Sequence, residues 1–257
     1  MTEPDYADLH KHHLELLREL GEISQKNDLR YYLVKGALLG TVRNSSLIPW
    51  DADVDIYVPV VDYENFTQIL SANLSAKYQV KTTQDPSYEK LMTRVTFAGS
   101  SHREFHLDVF PLVGAPTGAI TRTFFSLACH FIYKAYFAKK VSPTEWYYSR
   151  RRMKALAQLS KIALFWLPAS TILKVYKYLS LLIDYETSTQ IRNVCGSSGL
   201  REHFPKAWFE EPTWLTLSDM EIPAPTHWHA YLTHMYGDYK IPRASNYETR
   251  QFFFARK

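Results

Sequence analysis

Three carboxylates at alternate positions, Asp51, Asp53 and Asp55, interrupt the otherwise apolar stretch LIPWDADVDIYVP, Leu47 to Pro59. Alternate residues of an extended strand lie about 6.5 to 7 Å apart and point to one side, so Asp53 and Asp55 can converge on a single hard cation. Without a cation or a basic neighbour they repel, and the run contains no Lys or Arg. A solvated edge-strand face is the plain alternative. Against it, Trp50, Val54, Ile56 and Val58 make the opposite side of the strand apolar, which calls for burial. An EF-hand calcium loop does not fit, because the sixth position from Asp51 is Ile56 instead of Gly and the twelfth is Asp62 instead of Glu. Magnesium or manganese held by two carboxylates, with substrate phosphates completing the shell, fits better. Asp108, a lone acid between Leu107 and Val109, offers a third carboxylate, with a turn-capping role as its alternative.

The elements that must position these groups read as α+β. Leu9, Leu14, Leu16, Leu17, Leu20 and Ile23 recur at three and four spacings from Asp5 to Asn27, the pattern of an amphipathic helix. YYLV, Tyr31 to Val34, is a short strand ending at Gly36, and ALLGTVR follows as a turn into a short helix. Backbone N–H groups near Gly36 and Ala37 can therefore face a phosphate at a helix start, although a packing glycine explains Gly36 equally well. Lys35 and Arg43 flank this element and read either as phosphate contacts or as surface cations. WDADVDIYV is the next strand, with Asp51, Asp53 and Asp55 on one face. A helix over 62–74 precedes strands YQVKTT, LMTRVTFA and HLDVFPL, the last ending at Pro111. The histidines (His10, His12 and His13; His102 with His106; His227 with His229) lack an HExxH frame or a cysteine partner and read as surface or packing groups.

With 257 residues, 46% of them apolar, the chain can bury a sizeable core. Three parts are expected: a catalytic core over 1–117, a basic helical insertion over 118–183, and a segment over 184–257, irregular in character, that packs on the core and completes the site. Cys129 and Cys195 suggest neither a disulfide framework nor a cysteine zinc site. No secretory signal is readable, so a cytoplasmic protein is expected. The longest uncharged apolar run, Ile162 to Leu173, contains Pro168 and falls short of the roughly twenty residues a spanning helix needs. Charge is uneven. Between Val109 and Ile183 stand eleven Lys or Arg and one acid, Glu145, so this part carries +10 within a chain of net +4. With Phe124, Phe125, Phe131, Tyr133, Tyr136, Phe137, Phe165 and Trp166 interspersed, it suits either a plain core or peripheral contact with an anionic membrane at its inner face. No RRM, KH or helix-turn-helix pattern accompanies the cations, so nucleic acid is not an expected partner.

The order KGALLGTVRNSSLIPWDADVDI, HLDVFPL, FPKAWF, YLTHMYGDYKIP resembles the LicD family, which includes phosphocholine transferases and relatives of fukutin. The resemblance runs from about Leu9 to Pro242. It implies a nucleotidyltransferase-like fold, a mixed β-sheet core with flanking helices, in which Gly36, Asp53, Asp55 and Asp108 take the functional positions and Asp51 is the preceding acid. Ala37 departs from the family's usual Thr or Ser, and Ala52 from a common Asp. Glu202 sits where members also tend to carry an acid, and Asp238 lies in the YGDY signature, so both are expected to line the donor or acceptor pocket; a structural turn role competes for Asp238. The implied activity is transfer of a phospho-alcohol from a CDP-linked donor, such as CDP-choline or CDP-ribitol, to a glycan or lipid-linked glycan, with release of CMP. In this reading Asp53 and Asp55 bind Mg2+ or Mn2+, and Asp108 is a ligand and candidate base. Nucleotide transfer and a non-catalytic binding module are the alternatives.

Overall fold

The computed structural model describes residues 6–99, 105–141, 155, 158–159, 161–196 and 198–241. The sequence expectations at His102 and Glu145 lie outside them. The chain divides into two compact units, Met1–Val80 with Arg94–Val109 and Pro205–Lys257, and Lys81–Thr93 with Phe110–Phe204. Among the described residues, no helix is long and apolar enough to cross a membrane.

In the first unit, α1 (Tyr6–Asn27) buries Leu16, Leu17 and Leu20, the inward stripe expected from its spacing. Next come β1 (Tyr32–Val34), α2 (Lys35–Asn44), β2 (Asp53–Pro59), α3 (Val60–Asn73) and β3 (Tyr78–Lys81). β4 (Thr93–Phe97) and β5 (His106–Gly114) complete a strand order of β1-β2-β5-β4-β3. β1 and β2 are antiparallel, pairing Tyr32 with Tyr57, Leu33 with Ile56 and Val34 with Asp55. On β2, Val54, Ile56 and Val58 are fully buried, while Asp53 and Asp55 keep partial exposure, so the alternation read from the sequence holds there.

Asp51 is a correction. It precedes β2 in a turn in which its own N–H donates to the Ile48 carbonyl at 2.8 Å, and that amide is unavailable to a strand ladder. β5 also differs from expectation by running through Pro111 to Gly114. The missing proline N–H does no harm because pairing with the next strand begins at Leu112.

The described residues of the segment expected to be irregular form regular elements. In the first unit it supplies the hairpin β8 (Thr213–Leu217) and β9 (Met220–Ala224) and then α6 (Trp228–Tyr236). The Tyr32 hydroxyl donates to the Phe209–Glu210 carbonyls, and the Lys35 N–H donates to the Tyr231 hydroxyl at 3.3 Å. Tyr57, Phe209 and Tyr231 meet as rings 5.7 to 6.2 Å apart, an aromatic joint beneath β1 and β2.

The second unit is built on the rest of β5, which pairs antiparallel with β6 (Gln190–Asn193), and β6 pairs in turn with β7 (His203–Pro205). α4 (Ala119–Lys140) and α5 (Ala169–Leu181) supply the helices expected of the basic insertion. A side chain at Gly114 would come within 2.4 Å of the Ile183 carbonyl oxygen, so glycine is required where that loop crosses. Arg192, 2% exposed, donates to Ser126 Oγ at 2.7 Å and to the Gly199 carbonyl at 3.0 Å.

His13 of α1 is 1% exposed, stacks on Phe105 and bonds through Nε2 to the His106 carbonyl at 3.2 Å. Burial pushes its pKa from 6.5 down to about 4. The unfolded chain therefore takes up a proton that the folded chain refuses, and stability falls as pH drops from 6.5 towards 4. His13→Gln, which keeps a donor for the carbonyl, should flatten the decline in melting temperature between pH 6.5 and 5. An unchanged slope would assign the acid sensitivity elsewhere.

Candidate active site

β2 carries Asp53 and Asp55 on one face, and the antiparallel register sets Val34 opposite Asp55. The next residue, Lys35, turns the chain from strand to helix with φ of 51°, a left-handed conformation that costs a non-glycine residue on the order of 1 kcal/mol. This turn brings its Nζ to 3.6 Å from Asp55 Oδ2, both side chains largely buried, and 6.0 Å from the Tyr57 ring centroid. Asp55 is nonetheless poorly compensated. Burial drives its pKa well above the ordinary carboxylate range, Lys35 opposes this, and Asp53, Asp108 and Asp51 push it further upward.

Period two on β5 puts His106 and Asp108 on one face. His106 Nε2 lies 3.5 Å from Asp53 Oδ2, an ion pair when the imidazole is protonated. Asp108, 4% exposed, is gripped by Arg94 of β4: Nε reaches Oδ1 at 2.6 Å and Nη2 reaches Oδ2 at 2.8 Å. Burial alone would raise the Asp108 carboxyl, but the Arg94 guanidinium outweighs it and holds the pKa below the usual value. Asp53 is the most open of the three, with a side chain 37% exposed against 13% for Asp55 and 6% for Asp108.

Asp51 takes a different place. Its carbonyl accepts from His10 Nε2 at 2.8 Å, and its carboxylate lies against Gly36, where an added Cβ would meet Oδ2 at 2.0 Å. Gly36 is thus a close-approach glycine. The acid sits at the first turn of α2, where the helix dipole favours negative charge, on the spot that the sequence pattern suggested for a phosphate.

The remaining sequence candidates do not all gather here. Ala37 is buried in α2. Arg43 donates through Nε to the Tyr239 carbonyl and through Nη2 to the Ile241 carbonyl at 3.2 Å, so its guanidinium ties the chain after α6 to α2. Asp238 is exposed beside Gly237, whose φ of 72° ends α6. Glu202 belongs to the second unit, fully buried; it accepts from Asn193 Nδ2 at 3.2 Å and fills the space that a side chain at Gly196 would need. Sequence reasoning missed Arg94, His10 and His106 as partners of the acids. The one cue for Arg94 was a lone cation in the apolar strand LMTRVTFA.

Among the described residues, no three or more His, Cys, Asp or Glu form a ready metal cluster. Asp53 and Asp55 fit a hard divalent cation. They are alternate oxygen donors with surplus negative charge around Asp55, a set suited to an ion whose remaining positions come from substrate.

Residues 28–155 match the family model "LicD/FKTN/FKRP, nucleotidyltransferase domain". The chain is 23% identical over 249 residues to the lipopolysaccharide cholinephosphotransferase LicD of Haemophilus influenzae, covering 89% of each. It is 30% identical over 98 residues to the human ribitol 5-phosphate transferase FKRP, covering 38% of this chain and 19% of that one. Among solved structures, ANT(2")-Ia in complex with adenylyl-2"-tobramycin is similar with a TM-score of 0.31 and 11% identity, covering 65% of this chain and 97% of the other.

The Arg94–Asp108 pair gives a direct test. Arg94→Met strands a buried carboxylate and should cost about 3 kcal/mol or more, read as a lower melting temperature at pH 7. Arg94→Met combined with Asp108→Leu should recover most of that loss. Equal destabilisation by the single and double changes would mean that the ion pair is not what Arg94 contributes.

Proposed function

Since the chain belongs to the LicD family, we propose that it moves a phospho-alcohol group, choline phosphate or a polyol phosphate, from a CDP-linked donor to a glycan hydroxyl. The observation that carries this reading is the crowding of Asp53 and Asp55 beside Lys35 at the β1–α2 junction, an acidic cluster with a largely buried ammonium against it. Similarity to a cholinephosphotransferase over 89% of both chains supports it.

In the proposed reaction the acceptor oxygen attacks the phosphorus that bears the alcohol. A new O–P bond forms, the bond to the bridging oxygen breaks, and CMP departs with that oxygen and the electron pair. The acceptor's proton passes to a carboxylate of the set. Magnesium or manganese, when bound, neutralises the donor phosphates and stabilises the leaving oxygen. Asp53 and Asp55 would hold the ion, and Asp108 would join them through the oxygen lone pairs that Arg94 leaves free. Arg94 keeps Asp108 ionised, so the third charge is present across the physiological range. Lys35 offsets Asp55 before substrate arrives and would offer its ammonium to the donor phosphates afterwards. Asp51 and Gly36 fix the start of α2, from which Lys35 projects.

CMP release from CDP-choline and CDP-ribitol, with magnesium, manganese or EDTA and a cell-envelope glycan extract as acceptor, tests the reading. One donor should yield CMP, EDTA should abolish the yield, and Asp53→Ala or Asp55→Asn should lower it at least about a hundredfold with the fold intact. Release of pyrophosphate from a nucleoside triphosphate in place of CMP would overturn it in favour of nucleotide transfer.

A further inference from the structure

The second unit carries an apolar surface that the transfer chemistry does not use. Of the sixteen large apolar side chains exposed among the described residues, twelve fall between Ile120 and Leu182. On α4, Ile120, Phe124, Leu127 and Phe131 are 59 to 74% exposed. At 100° per residue they lie within about 60° of arc, a line roughly 16 Å long. Phe125, Cys129 and Tyr136, the buried side of the same helix, lie about half a turn away. α4 is therefore apolar on two opposite faces, of which the core uses one.

A second apolar projection is tied to its end. Lys139 donates through Nζ to the Leu164 carbonyl at 3.1 Å and the Phe165 carbonyl at 3.5 Å, which fastens the turn bearing Phe165 and Trp166 to the last turn of α4. Phe165 is 69% exposed and Trp166 is 88% exposed, packed edge to face on each other rather than into the core. Charge selects the occupant. The stretch from Val109 to Ile183 holds eleven cations and one acid, and Lys134, Lys174 and Lys177 stand on the helices that bear the apolar groups. A protein partner of ordinary composition needs no such exclusion of acids, whereas an anionic lipid surface rewards each cation near it and takes aromatic side chains at headgroup depth.

We propose that the outer face of α4, together with the Phe165–Trp166 turn, is a membrane-docking surface that inserts its aromatics among the headgroups of anionic lipids. It stands independently of the transfer reaction and requires no spanning helix.

Flotation of the full chain with phosphatidylcholine vesicles, with and without phosphatidylglycerol, tests it. Binding should require the anionic lipid and weaken at 0.5 M salt, and the tryptophan emission should shift to the blue. That shift should vanish in Trp166→Phe. Phe124→Ser with Phe131→Ser should reduce vesicle partitioning at least about tenfold without lowering the melting temperature, since neither side chain is in the core. Three results would overturn the proposal: equal binding to phosphatidylcholine alone, binding indifferent to the double substitution, or self-association that the same substitution abolishes while vesicles are ignored.

Discussion

Too many carboxylates in too small a space is the constraint from which the first unit follows. Asp51, Asp53 and Asp108 all bear on the electrostatics of Asp55, and each of the four is balanced by different means. Asp108 receives a bidentate guanidinium, Asp55 a single ammonium at 3.6 Å, Asp53 an imidazole and partial solvent, and Asp51 the start of a helix. Compensation outweighs burial for Asp108 and falls short of it for Asp55. A surplus of negative charge is thus concentrated at one point of the strand, which is where a reaction on phosphates makes use of it. Lys35 in a left-handed conformation and Gly36 without a side chain are local costs that follow from keeping Asp51 and Asp55 so near each other.

Much of this was legible in the sequence because it rests on periodicity. The two-residue period over DVDIYV places Asp53 and Asp55 together in any fold that buries Val54 and Ile56, and the helical spacing of α1 needs nothing beyond itself. Asp51 misled because a third term in an alternating series looks like more strand. Pro49 and Trp50 had already bent the chain, and the Asp51 amide was taken by a turn. Arg43 was open to two readings: a guanidinium can clamp two phosphate oxygens, and here two backbone carbonyls accept from it.

What could not be read is what lies between strands. Arg94 meets Asp108 only because β4 lies beside β5, and His106 meets Asp53 only because β5 lies beside β2. Strand order is a long-range property that no local window contains. The same holds for Thr213 to Tyr236, part of the segment expected to be irregular, which form a hairpin and a helix once Phe209 and Tyr231 have a place to pack.

The Tyr32 hydroxyl, which donates to the Phe209–Glu210 carbonyls, also sets a timetable. Its partners, like the Tyr231 hydroxyl that receives the Lys35 N–H, lie about 180 to 200 positions downstream. At a synthesis rate of roughly 5 to 20 residues per second, the strand–helix junction spends on the order of ten seconds or more outside the ribosome before its clamp is made. For most of that interval Asp51, Asp53 and Asp55, joined later by Asp108, must be carried by a half-built sheet. Closure by the far end of the chain gives premature termination a chemical consequence: a chain stopped short of Phe209 has every acid of the site but lacks the downstream carbonyls and hydroxyl that tether Tyr32 and Lys35.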